Sequence, residues 1–126
     1  MRRFQITAII VALLIFPIQA SAQELPEGVT FDVIATYASD IPGVERVELQ
    51  KFTLAPGAKL ENFPVENVEF CSSTQGIIRV TDETTGETNI YAAGSRWQPK
   101  IGHKASVSNP GTELHVHWIY AFVLKK

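Results

Sequence analysis

Glu69, Cys71 and Ser73 fall at alternate positions, so on a β-strand a carboxyl, a thiol and a hydroxyl share one side. A carboxyl in apolar surroundings has its pKa pushed upward unless it is paired, which suits it to acid–base work or to anchoring a ligand's polar group. His103 is the nearest imidazole in the sequence and the expected assistant to Glu69, with Arg96, Lys100 and Lys104 as other cations within reach. The alternative role for Glu69 is a framework carboxyl hydrogen-bonded to backbone or water. Cys71 beside a histidine and an acid suggests a nucleophile. No sharp turn or helix start is there to activate it, so it reads as a small inert hydrophobe. His115 and His117 form an H-x-H pair that could share a metal if His103 or Glu69 supplied a third ligand. They alternate with Leu114, Val116, Trp118, Tyr120 and Phe122, the longest period-two run in the chain. If that apolar set faces inward, the histidines face outward, toward solvent or a dimer contact.

Short strands must carry these residues. Turn signals at Pro42-Gly43, Pro56-Gly57, Thr85-Gly86, Ala93-Gly94 and Asn109-Pro110-Gly111 separate runs rich in Val, Ile, Thr, Phe and Tyr. Residues 77–80 and 89–92 read as a hairpin. Val47 and Leu49 alternate, then Phe52 and Leu54 alternate with opposite parity, as an extra residue in the strand would produce. Residues 30–39 have room for a turn of helix before Pro42, but nothing sustains helical periodicity for twelve residues. An all-β chain with so many turns closes best into a barrel or double-sheet roll, which removes exposed edges. Trp97, Trp118, Tyr91, Tyr120 and Phe63 are core residues by type, and any of them inside the roll could stack on a planar or sugar ligand.

Gly57, Phe63, Val65, Glu69 and Gly76 keep the spacing of a first glycine-framed motif, G-x5-H-x-H-x3-E-x6-G. Gly94, Lys100, Gly102, Ala105 and Asn109 keep that of a second, G-x5-P-x-G-x2-H-x3-N, and 17 residues separate the two. In this the chain resembles the cupin family over residues 44–122. The resemblance implies a jelly-roll β-barrel in which Phe63, Val65, Glu69 and Ala105 occupy the metal-ligand positions and point inward. Three of those four residues have no ligating atom, so no metal and no other cofactor is expected. The implied pocket is lined by Phe63, Val65, Glu69, Cys71, Ser73 and Ala105.

Residues 1–22 read as an export signal: Met1-Arg2-Arg3, an apolar run over residues 6–15, and an Ala20-Ser21-Ala22 exit. The run is too short to span a bilayer, so no stable membrane anchor is expected after cleavage. Residues 23–43 lead into a barrel domain of residues 44–126. Without Arg2 and Arg3 the mature chain has 9 basic and 13 acidic side chains, a formal charge of −4. That offers no basic surface for nucleic acid. Cys71 is the only cysteine, so no internal disulfide can form even in a periplasm or outside the cell, and small size favours a homodimer. Three functions stay open: a metal-free barrel binding a small molecule, an enzyme using Glu69 and His103 or relocated histidines, and a structural dimer with a filled barrel.

Overall fold

The computed structural model describes residues 24–126, so the expected export segment lies outside the described residues. Nine strands follow in order: β1 Val29–Ala38, β2 Val44–Leu54, β3 Lys59–Pro64, β4 Val68–Gln75, β5 Ile77–Asp82, β6 Thr88–Ala92, β7 Arg96–Trp97, β8 Lys104–Ser108 and β9 His115–Leu124. They form a five-stranded sheet in the order β1-β2-β9-β4-β7 and a four-stranded sheet in the order β3-β8-β5-β6, with antiparallel pairing throughout. Leu54, Phe52, Ile119 and Cys71 of the larger sheet pack toward Ile78 and Val107 of the smaller one. The all-β jelly-roll barrel expected from the sequence is the fold observed.

The glycine frame has a geometric basis. A Cβ on Gly76 would lie 2.5 Å from the Leu114 carbonyl oxygen, and its φ of +71° disfavours any side chain. Gly57 donates its N–H to the Asn109 carbonyl at 2.9 Å. Buried Asn109 donates from Nδ2 to the Leu54 and Glu113 carbonyls, each at 2.9 Å, and so ties the turn that opens the first motif to the one that follows the second. Between Leu60 and Phe63 the β3–β8 register slips, with Asn62 at φ 55° and its N–H bonded to Ser106 Oγ at 2.9 Å. The extra residue turns Phe63 toward the interior, where Leu60 also packs.

Three local expectations are corrected. Residues 30–39 are not helical: they belong to β1, whose Val, Thr, Phe, Ile and Tyr content favours a strand, and no helix occurs among the described residues. Residues 47–54 of β2 pair with β9 without a slip, so the change of apolar parity marks a sheet that is apolar on both faces. The irregularity is in β1, between Val33 and Ala35. The parity of β9 is also reversed. His115 (0% exposed), His117 (5%), Ile119 and Ala121 face inward, while Tyr120 is 50% exposed and Leu114, just before the strand, is exposed as well. Tyr120 and Phe122 join Phe70, Leu49 and Val47 on the outer face, where Phe70 and Phe122 meet edge-on at 5.8 Å.

Candidate ligand-binding cavity

Three rows of paired residues on the larger sheet build the site. Glu48, Ala121 and Glu69 lie side by side on β2, β9 and β4; the next inward-facing row is Gln50, Ile119 and Cys71; the next is Phe52, His117 and Ser73. Alternation turns each of these side chains toward the smaller sheet, and a cavity of about 300 Å³ opens there. Glu69, Gln50 and His117 are polar groups on its wall, while Phe31, Phe52, Leu60, Phe63, Trp97 and Ile119 are among its apolar ones. Pro64, Glu66 and Asn67 join Glu69 on the wall, and buried His117 also borders the cavity. Glu69 and His117 are thus separated by about 13 Å of strand, at roughly 3.3 Å per residue.

Of the residues expected to line a pocket, Phe63, Glu69, Cys71 and Ala105 do so. Phe63 and Ala105 are direct cross-strand partners on β3 and β8. Val65 and Ser73 are buried but do not border the cavity. Ser73 Oγ has no hydrogen-bond partner among the described residues. His103 is placed elsewhere: its Nδ1 lies 2.7 Å from Asp82 Oδ2, and that bond holds the aspartate below its ordinary pKa. It is not on the cavity wall. The expected Glu69–His103 pairing is therefore not formed, because Asp82 on the smaller sheet holds the imidazole.

Burial alone pushes the Glu69 carboxyl from 4.5 up to about 7. No salt bridge among the described residues includes it. Burial likewise raises the Cys71 thiol, with the Glu69 charge adding to the effect, so the thiolate that nucleophilic chemistry needs is suppressed. His117 falls to about 3 through burial and the neighbouring His115, and His115 falls to about 4 through burial. Both rings are therefore neutral at physiological pH. Their nitrogens, His115 Nε2 and His117 Nδ1, are 2.8 Å apart. Trp97 stacks on Tyr91 at 4.6 Å and meets His117 edge-on at 5.0 Å, and Phe52 lies 4.9 Å from His117.

Sequence reasoning missed Gln50. Arg46 Nε donates to Glu48 Oε2 at 2.7 Å, and Gln50 Nε2 donates to Glu48 Oε1 at 2.9 Å, a chain along one face of β2. The chain fixes the amide and leaves Gln50 Oε1 as an acceptor. Charged and polar residues at alternate positions 46, 48 and 50 were the available signal.

The residues at the family's metal positions do not fit a metal. Phe63, Val65 and Ala105 contribute no donor atom, and no group of three His, Cys, Asp or Glu among the described residues is placed to hold an ion. Glu69 alone is no site.

No protein-family model matches this chain, and no curated protein sequence does. Solved structures do. A Cupin 2 conserved barrel domain protein from Salinispora arenicola superposes with a TM-score of 0.61 at 15% identity, covering 82% of each chain. The Cnp3 cupin domain of Schizosaccharomyces pombe gives 0.61 at 18% identity, covering 82% of this chain and 71% of that one. The Cupin_2 domain of an XRE family transcriptional regulator from Enterobacter cloacae gives 0.65 at 13% identity, covering 79% of this chain and all of that one. The fold is the cupin barrel. Similar chains include a recombinant oxalate oxidase and KdgF from Halomonas sp., so the fold does not name an activity.

Proposed function

We propose that this chain is an exported cupin-fold protein that binds a small molecule between its two sheets without using a metal. One observation carries the reading: a cavity of about 300 Å³ with aromatic walls and polar groups spaced along it, among them Glu69, Gln50 and His117. That combination of apolar enclosure and a few placed polar atoms is what small-molecule sites share. A space of that size weighs against a barrel filled by its own side chains. The acidic mature chain makes nucleic acid an unsuitable partner. A homodimer would cover the exposed aromatic outer face around Phe70 and Tyr120.

A second reading is favoured by one specific feature. A carboxyl near pH 7 can give or take a proton with little driving force, so Glu69 fits a metal-independent general acid or base. Both readings need Glu69 at the bound molecule. Ligand-observed NMR of a ring-fragment library, followed by calorimetric titration, tests them together: Glu69→Gln should keep the fold and weaken binding of the fragments found. Unchanged affinity would remove Glu69 from recognition and leave the aromatic wall to account for it.

A further inference from the structure

Two carboxyls stand at the same level of the larger sheet, Glu48 on β2 and Glu69 on β4, with Ala121 of β9 between them. Glu48 has a counter-ion, since Arg46 Nε lies 2.7 Å from its Oε2. Glu69 has none among the described residues, although it borders a cavity with largely apolar walls. The rest of the wall does not supply one. No lysine or arginine of the described residues borders the cavity, and its other acid is Glu66. Lys100 and His103 border a neighbouring groove that shares Pro99 with the cavity, and there Asp82 already holds His103 at 2.7 Å. Gln50 adds an acceptor. It is 8% exposed, and its Nε2 donates to Glu48 Oε1 at 2.9 Å. An ionised carboxylate only accepts, so the amide nitrogen must face it, and Oε1 is left for the cavity that Gln50 borders. The wall also carries Phe31, Phe52, Phe63 and Trp97, and aromatic rings attract cations over their faces as well as apolar carbon. Tyr91 braces Trp97, with the ring centroids 4.6 Å apart and the planes within 4°.

Resting on the reading of this cavity as a ligand site, we infer that its ligand is a small organic cation, a protonated amine on a ring-sized apolar body, with the ammonium on the Glu69 carboxylate and the body against the aromatic wall. Such a molecule supplies the counter-ion that Glu69 lacks and Glu48 has. A charge-assisted N–H to carboxylate bond in partly apolar surroundings is stronger than a neutral hydrogen bond, and it removes the cost of an unpaired buried charge. A neutral molecule of the same shape leaves the carboxyl unpaired. An anion meets two acids, Glu66 and Glu69, and no lysine or arginine. Gln50 Oε1, one row along the sheet, accepts from a further N–H or O–H of the ligand.

Benzylamine, benzyl alcohol and benzoate test this, since they share a ring and nearly one size and are a cation, a neutral molecule and an anion at neutral pH. In calorimetric titrations the purified protein should bind benzylamine about tenfold more tightly than benzyl alcohol, and benzoate more weakly than either. Glu69→Gln should abolish the preference for the amine. Nuclear Overhauser contacts should run from the benzylamine methylene to the Glu69 side chain and from its ring to Phe63 and Trp97. Benzyl alcohol or benzoate binding as tightly as the amine, or methylene contacts confined to residues outside the cavity, would overturn the inference. So would a preference that survives in Glu69→Gln, which would belong to the net negative charge of the chain. The wild-type comparison and the contacts decide it even if the variant fails to fold. Equal binding of all three defeats this inference alone; binding of none defeats the ring-bearing cation and counts against the cavity reading beneath it.

Discussion

Glu69→Gln should change the pH dependence of stability in a direction fixed by where the carboxyl sits. In the unfolded chain the group titrates near 4.5, and in the fold near 7, because burial disfavours the charge. Below pH 4.5 it is protonated in both states and contributes no difference. Between 4.5 and 7 the unfolded chain releases the proton while the folded chain retains it, so stability falls as pH rises, and above 7 the loss is complete. At 1.36 kcal/mol per pH unit the ceiling is about 3 kcal/mol, and solvent at the mouth of the cavity reduces the expected value to about 1–2 kcal/mol. His115 and His117 act with the opposite sign. Their folded values of about 4 and 3 lie below the ordinary 6.5, so the stability they provide above 6.5 is lost as pH falls toward those values. The glutamine variant keeps the histidine contribution and lacks the other. Urea unfolding of wild type and variant at pH 4, 5.5 and 8 isolates Glu69: the variant should gain about 1–2 kcal/mol on the wild type between pH 4 and 8. A difference that is the same at all three values would show that the carboxyl titrates in the fold as it does in the unfolded chain, and the electrostatic account of the cavity would fail.

His117→Ala should cost about 2–4 kcal/mol by chemical denaturation, since it empties a buried site. Trp118→Ala should cost less than that, because the ring lies on the outer face with Lys51 Nζ 5.5 Å from its centroid; the reverse order would mean β9 faces the other way. Replacing Phe63, Val65 and Ala105 together with histidine should restore the family's ligand set with Glu69 and bind about one equivalent of a transition metal by elemental analysis, and a folded triple variant without metal would contradict the register. Gly76→Ala should destabilise by more than about 2 kcal/mol, against about 1 kcal/mol for Gly86→Ala, which has no heavy atom within 4 Å of its added Cβ; equal costs would remove the Leu114 contact from the explanation.

Features that depend on local chemistry were legible in the sequence. The β5–β6 hairpin and the glycine frame rest on turn residues, and the motif spacing turned Phe63 and Ala105 inward, where the sheet pairs them across β3 and β8. The inward strip of Glu69 and Cys71 followed from alternation once the first motif fixed which side was in. The face of β9 was not legible, because alternation separates two faces without saying which is buried. The larger sheet is apolar outside, through Leu49, Phe70 and Tyr120, and partly polar inside, so hydrophobicity favoured the wrong one. Pairing decides it: Ser73 of β4 stands opposite His117 of β9, and one polar strip forces the other inward. His103 was misplaced because its partner Asp82 lies 21 residues away, on a strand whose register the sequence does not encode.

The central claim is that the space between the sheets receives a small ring molecule. The most direct measurement is an isotope-edited nuclear Overhauser experiment on labelled protein titrated with indole, which reports the side chains touching the bound ring. Contacts to Phe52, Phe63, Trp97 and His117, saturating at one equivalent, are the expected result. Contacts confined to the exposed aromatics Phe70 and Tyr120, or no saturable binding by any ring in the fragment library, would contradict it.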